Sequence, residues 1–434
     1  MKTNKLRFIV LLLMLSMVAV ACGGGTTEEA EETPVANDTP EETFSPVTTA
    51  PPPEVIVVWA EEKVAVALEP LVGEYEAAAG VDVDIVVYDF GAIRTDVQTA
   101  GPAGEGPDVF LGAHDWVGEL AANGVIAPVN ISAIADDLFD VGIAGFSYGG
   151  MTYGVPYATE AIAMYYNADY VDSVPATWDE VKAACDAVDA AEICVGAPGG
   201  GGGGDAYHNI PFVQSAGGYI FKFNAGFDPS DVGLDNEGAL ASAEYLDGLV
   251  KDGVVASTDY SASMSAFQEG RSVFWMTGPW ARNDASAVNY GVGLIPAFGD
   301  SPATPFVGVR GAMVSSFSEK QLLAESFILD FFVTVEVQEA MYNSDPRLPA
   351  TKSLFAIVEA ADPIAAQFAA SAANGIPMPN IPEMGSVWGP VGDALLIIRD
   401  QNYGTNEETG VTVNTASDAM KLAAEQVRTA IAGG

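Results

Sequence analysis

The side chains in this sequence best suited to chemistry are three carboxylates, Asp115, Glu160 and Asp205, and three aromatic rings, Tyr207, Trp280 and Trp388. Carboxylates accept hydrogen bonds from hydroxyls and amines, and aromatic faces stack on apolar surfaces. Glu160 stands inside YGVPYATEAIAMYYN, where two short apolar strands meet at the Thr159–Glu160 step. Gly154 and Pro156 suit a chain leaving one sheet, and the alternation of Ile162, Met164 and Tyr166 suits one entering another. Glu160 is therefore expected at the floor of a cleft between two lobes; the competing reading is an edge glutamate in solvent. Asp115 follows Asp108-Val-Phe-Leu-Gly112, a short strand whose C-terminal end is where open α/β sheets bind ligands. Asp205 and Tyr207 follow six consecutive glycines, Gly199 to Gly204. No Gly-Lys-Ser/Thr comes after them, so this run reads as a flexible loop and not as a phosphate cradle. Trp280 sits at a strand-to-helix corner, Gly278-Pro279-Trp280, with proline early in the turn. Taken alone, Trp280 and Trp388 also fit a buried core.

Two other chemistries compete for the same side chains. A glycoside hydrolase needs a carboxylate pair flanking one bond at a set separation, which a sequence does not measure. A metal site is not expected: only His114 and His208 offer imidazole, and the Tyr165–Tyr166 pair lies in a strand, where neighbours point to opposite faces. No cofactor is expected either.

The elements that hold these residues read as alternating strands and helices. Val55 to Trp59 is a continuous apolar run, typical of a strand buried on both faces. Val64, Leu68, Leu71, Val72 and Tyr75 recur at helical spacing until Gly80, and Val81, Val83, Ile85 and Val87 alternate as a second strand. Residues 55–88 thus form one strand–helix–strand unit with a right-handed crossover. Thr177-Trp178-Asp179-Glu180 is a capping box opening a helix to about Ala190. Residues 305–312 suit a second passage between lobes, Ser318 a cap for a long helix through Phe332, and Glu359 to Pro363 a third passage. The expected architecture is α/β and two-lobed. Residues 55–158 plus 312–358 form the N-terminal lobe, 162–306 plus 363–434 the C-terminal lobe, and 159–161, 307–311 and 359–362 the hinge. A last amphipathic stretch runs from Ala416 to Ile431.

With 434 residues and 49% hydrophobic content the chain can build more than one core. Seventeen basic residues against 59 acidic ones give a formal charge of -42, which repels nucleic acids and anionic lipid surfaces. Residues 1–21 have a basic start (Lys2, Lys5, Arg7), an apolar run and small residues before Cys22, the pattern of a secretory signal too short to span a membrane. Ala19-Val20-Ala21-Cys22 looks like a bacterial lipobox, which implies cleavage and lipid attachment at Cys22, the only expected contact with a membrane. Residues 22–54, rich in Thr, Glu and Pro, read as a disordered acidic linker. Cys185 and Cys194 could close a small loop as a disulfide or remain two buried thiols.

Several long, ordered phrases carry a family resemblance from about Val55 to Ala430: GPDVFLGAHDWVGELAANGVIAP, YGVPYATEAIAMYYN, DGLVKDGVVASTDYS followed by MTGPWA, NYGVGLIPAF with PFVGV, and MPNIPEMGSVW. The chain resembles the maltose and maltodextrin-binding proteins, the extracytoplasmic receptors of ABC sugar importers (extracellular solute-binding protein family 1). The resemblance implies a periplasmic-binding-protein-like fold of type II and a monomeric, non-enzymatic receptor. Such a receptor closes on a linear α-glucan and hands it to permease subunits. It also implies sugar contacts at Asp115, Glu160, Asp205, Tyr207, Trp280 and Trp388, with Glu62 and Lys63 matching an Asp-Lys pair in a register that could slip by one residue. A sugar ring offers an apolar face to aromatic planes and a rim of hydroxyls to polar groups, which fits this mixture. The chain departs from the family pattern at four positions. Gly112 stands where many members have tryptophan, Trp116 where an arginine follows the aspartate, and Gly389 and Gly392 replace a tyrosine and an arginine after Trp388. Trp116 is therefore expected to supply a new stacking surface; the expected ligand is a maltose/maltodextrin-type α-glucan, with a longer or cyclic glucan or another oligosaccharide as the alternative.

Overall fold

The computed structural model describes residues 54–202 and 204–433. The leader at 1–21, Cys22 and all of the linker except Glu54 lie outside the described residues. The chain first lays down β1 (Val55–Ala60), β2 (Asp82–Val87), β3 (Val109–Ala113) and β4 (Val155–Glu160). It then passes to β5 (Ala163–Asn167), β6 (Ile193–Pro198), β7 (Val255–Thr258), β8 (Ser272–Thr277) and β9 (Tyr290–Gly293), and β10 (Phe306–Ser315) returns. β10 lies between β4 and β3, followed by β1 and β2, while β7, β6, β8, β5 and β9 form a separate five-stranded sheet. β1 pairs in parallel with β2 and β3, and β10 runs antiparallel to β3 and β4. β6 is likewise parallel to β7 and β8, and β5 antiparallel to β8 and β9.

Strand periodicity divides each sheet's residues between two cores. Ile56 and Val58 of β1 join a cluster with Leu111, Phe327 and Phe332, while Trp59 faces Phe110, Ile93 and Val117 on the other side. In the second sheet Ile162 and Met164 enter the large cluster around Trp178, Phe212 and Leu246, and Ala163 and Tyr165 the one around Trp275 and Phe368. The chain therefore changes sheets across Ala161 and Ile162, directly after Glu160.

Side-chain caps open several helices, among them those after Asp89, Thr177, Asn236 and Asp259. The capping box is formed in full, with the Thr177 side chain accepting the Glu180 N–H and Glu180 accepting the Thr177 N–H, although the helix ends at Asp186. Cys185 and Cys194 are joined by a disulfide with Cα atoms 5.3 Å apart.

Three expectations need correction. The apolar run after β1 is two helices, Glu62–Leu68 and Val72–Ala79, because Pro70 between them has no N–H to continue the ladder. Ser318 is not the helix cap: its hydroxyl accepts the Lys320 N–H at 3.0 Å and donates to Asp108 Oδ1 at 2.5 Å, so the helix starts at Gln321 and widens to a π-helical turn over Phe327–Phe332. The third passage is not confined to 359–362 but spread along the helix Lys352–Ala361. Lys352 and Ser353 bond to Asp136 and Asp137 of the first lobe, while Leu354 and Val358 are buried with Tyr165 and Trp275 of the second. An amphipathic helix whose faces meet different partners contains no break for a sequence to reveal.

Candidate functional site

A cavity of about 630 Å³ lies between the two sheets' C-terminal edges. Its floor is Glu160, the last residue of β4, whose register sets it opposite Gly308 of β10. A Cβ at Gly308 would stand 2.8 Å from Glu160 Cγ and 3.2 Å from the Tyr207 hydroxyl, so only glycine leaves the carboxylate and the phenol room to approach each other. Glu160 is buried and accepts from Arg347 Nη1. The same guanidinium donates through Nε to Asp345 Oδ2 at 2.5 Å, and Arg310 Nη2 donates to Glu61 Oε1 at 2.6 Å. Burial alone would lower the pKa of Arg347, but Glu160, Asp345 and Glu61 outweigh it and raise it well above the usual value. Every charge on this floor is met by an opposite one, as buried ions require.

The first lobe's wall is a stack. The Arg310 guanidinium carbon lies 3.5 Å from the centre of the Phe90 ring, and Phe90 packs on Trp116 at 4.9 Å with planes 28° apart. Trp116 lines the cavity but is only 6% exposed and belongs to the core with Ile93 and Phe110. It is not the open stacking surface expected of it: it backs Phe90, which is the more exposed ring. Gly112 makes this possible, since a Cβ there would sit 2.5 Å from the Trp116 ring.

Asp115, 5% exposed, lies within the helical turn His114–Trp116 that follows β3. Burial pushes its pKa up to about 6, opposed by Arg94, its own backbone N–H, Trp388 and Arg310. The Trp388 indole N–H donates to Asp115 Oδ2 at 3.2 Å, directly across the cleft. Neighbouring His114 is structural: Val309 N–H donates to its Nδ1 (3.0 Å), leaving Nε2–H to donate to the Met378 carbonyl (3.1 Å), and burial lowers its pKa to about 4.

From the second lobe come Asp205, Tyr207 and Trp280. Asp205 caps a short helix by accepting His208 N–H at 3.0 Å, and its other oxygen accepts His208 Nδ1 at 2.7 Å. The Tyr207 hydroxyl is buried at the cavity without a partner among the described residues, placed to bond a ligand. The Trp280 ring lies 5.8 Å from Tyr207 and 5.2 Å from the Arg347 guanidinium. Its carbonyl accepts Lys63 Nζ at 2.7 Å, another bond between the lobes.

Asp115, Trp116, Glu160, Asp205, Tyr207, Trp280 and Trp388 are thus brought together, whereas Glu62 and Lys63 are not in the cavity wall. The register slips by one: Glu61, the residue just after β1, faces the cavity, and Glu62 begins the helix with its side chain in solvent. Gly389 leaves open space where a side chain would stand, and Gly392 backs against Gly204. Phe90, Arg94, Arg310 and Arg347 also line the cavity and were missed, because nothing local in the sequence separates them from helix or strand residues.

Two α/β lobes enclosing an aromatic-walled cavity with charged groups at its floor define a ligand-binding protein that holds its ligand between two lobes of one chain. The family model of the bacterial extracellular solute-binding proteins matches residues 71–370, and the chain belongs to that family. It is similar to a galactooligosaccharide-binding protein of Bacillus subtilis, with 27% identity covering 84% of this chain and 89% of the relative. A maltooligosaccharide ABC transporter solute-binding lipoprotein of Streptococcus pneumoniae is also 27% identical, covering 86% and 89%. So is a maltotriose-binding protein of Pyrococcus abyssi, covering 81% and 79%. No helix among the described residues is long and apolar enough to cross a membrane.

Proposed function

We propose that this chain is the receptor of an ABC importer, tethered by a lipid on Cys22, that captures maltodextrin-type α-glucan oligosaccharides by hinge closure and delivers them to the permease. The observation that carries this reading is the Trp280–Tyr207–Trp388 aromatic wall on one lobe facing the Asp115, Glu61 and Arg310 groups on the other. Such a cavity suits a neutral ligand with alternating apolar faces and hydroxyl rims. The Trp388–Asp115 and Lys63–Trp280 bonds support closure as the means of capture. Micromolar affinity requires about -8 kcal/mol, which stacked rings and hydrogen bonds to charged groups of about 1.5–3 kcal/mol each supply after the cost of association. The role is binding without turnover: the floor carboxylate is engaged by Arg347, and the relatives named above are binding proteins.

A second ligand class is favoured by one relative's name, a galactooligosaccharide-binding protein. Calorimetric titration against maltose, maltotriose, maltoheptaose, β-cyclodextrin and a β-galactooligosaccharide separates the two. Tight binding to an α-glucan supports the proposal, preference for the galactoside moves the ligand, and silence for all five refutes both. Trp280→Ala is expected to weaken binding of the preferred sugar by about 30-fold or more while the protein stays folded, as loss of an aromatic anchor does.

A further inference from the structure

The described glycines before Asp205, Gly199 to Gly202 and Gly204, are held by their surroundings. Gly201 N–H donates to Asp400 Oδ1 at 2.7 Å and Gly202 N–H to Asp400 Oδ2 at 3.1 Å, and the Ser257 hydroxyl donates to the same carboxylate. Gly201 and Gly202 have φ of 64° and 85°, which glycine adopts without strain, and their successive N–H groups converge on one anion. Their neighbours are equally confined. A Cβ on Gly199 would overlap the Asn209 amide, one on Gly200 would lie 2.8 Å from the Ser257 backbone, and one on Gly204 would lie 2.8 Å from the Gly392 carbonyl.

Arg399, adjacent to Asp400 and fully buried, holds both ends of the same loop. Its guanidinium donates to the carbonyls of Ala197 (2.6 Å), Pro198 (3.3 Å) and Ala256 and to Asn209 Oδ1 (2.7 Å). Asn209 in turn donates to the carbonyls of Pro198 (2.6 Å) and Asp205 (2.8 Å). This is a buried cation on neutral acceptors, an arrangement that costs desolvation and is explained by what it positions.

We infer that Arg399 and Asp400 act as a clamp that positions Asp205 and Tyr207 in the cavity, with the Asp400 carboxylate serving as a built-in anion in a glycine nest. The inference rests on the reading of the cavity as a sugar site, but the clamp itself is testable without sugar. Burial raises the Asp400 pKa, yet the bonds from Ser257, Gly201 and Gly202 outweigh it and leave it lowered, as an ion in a nest should be.

Asp400→Ala removes the anion and leaves a formate-sized gap beside the nest. In this variant the Gly201 and Gly202 amides, followed by NMR hydrogen exchange, are expected to exchange at least about tenfold faster, and added formate to restore them. Maltotriose binding is expected to weaken about tenfold while the protein stays folded and to recover with formate, a rescue that a merely structural residue would not show. Formate should leave the unaltered protein unchanged, and Asp400→Asn, which keeps an acceptor oxygen, should fall between. Unchanged exchange in Asp400→Ala, or faster exchange with unaltered maltotriose affinity, overturns the clamp. Silence of the unaltered protein toward maltotriose would instead remove that sugar from the proposed function, with exchange still deciding the clamp.

Discussion

Trp388→Phe removes one hydrogen atom of consequence, the indole N–H that reaches across the cleft to Asp115 Oδ2. A hydrogen bond to a charged acceptor is worth about 1.5–3 kcal/mol, and a 3.2 Å separation is at the long end of the range, so about 1.5 kcal/mol is expected. That corresponds to about one pKa unit on Asp115. Burial already raises Asp115 from 3.8 to about 6, so its stabilising contribution is complete below 3.8 and is lost as pH rises through 6. Without the indole donor the loss continues about one unit further. Relative to the unaltered protein, Trp388→Phe should therefore be about 1.5 kcal/mol less stable near pH 8, beyond a constant packing offset, and this excess should vanish as pH falls through 6. Urea unfolding of the ligand-free protein at a series of pH values measures it, with Asp115→Asn as the control in which the pH-dependent part is absent. A difference that is the same at high and low pH would refute the reasoning, because the bond would then not involve the ionised carboxylate.

Other outcomes follow from the same geometry. Arg347→Met strands buried Glu160 and Asp345 and should cost about 3–5 kcal/mol in urea unfolding, with Glu160→Leu in the same chain recovering part of it. Gly112→Ala drives a methyl into the Trp116 ring and should cost about 1–3 kcal/mol, relieved in the Gly112→Ala, Trp116→Ala double variant beyond additivity. His114, held neutral with its pKa lowered to about 4, contributes stability that is complete above 6.5 and declines as pH falls toward 4. That contribution, up to about 3 kcal/mol, should be missing from the pH profile of His114→Gln, which keeps a donor and an acceptor.

Periodicity and capping chemistry made the strand–helix–strand start, the capping box at Thr177 and the change of sheet after Glu160 legible, since each is decided by neighbours a few residues apart. Pro70 was equally visible and was overridden by apolar spacing on either side of it. Ser318 carried a capping residue's chemistry but spent it on Lys320 and on Asp108, more than 200 positions away. Within the cavity, residues on turns after strands announced themselves: Asp115, Asp205 and Trp280. Arg310 and Arg347 did not, because an arginine in a strand-like run is ordinary until the fold sets it beside Glu61 and Glu160. The Glu61 and Glu62 pair shows the finest limit. Which of two adjacent carboxylates faces inward depends on where a helix begins, and boundaries of one residue are beyond pattern reading. Nothing near Gly199 pointed to Arg399 and Asp400.

β10 passes through the region between the lobes without a break. At Phe306 and Val307 it pairs with Ile376 and Pro377, and from Gly308 to Ala312 it pairs with β4, all within one ten-residue strand. A loop at such a place would be a free joint; a continuous strand is a torsion bar. Rotation of one lobe against the other must twist it where the pairing changes, around Val307 and Gly308, because Gly308 to Val314 is held by β4 and β3, and the restoring torque grows with the angle. Under the closure proposed above, opening would be elastic and limited in amplitude, with the strand storing part of the work of closure and returning it when the cargo leaves.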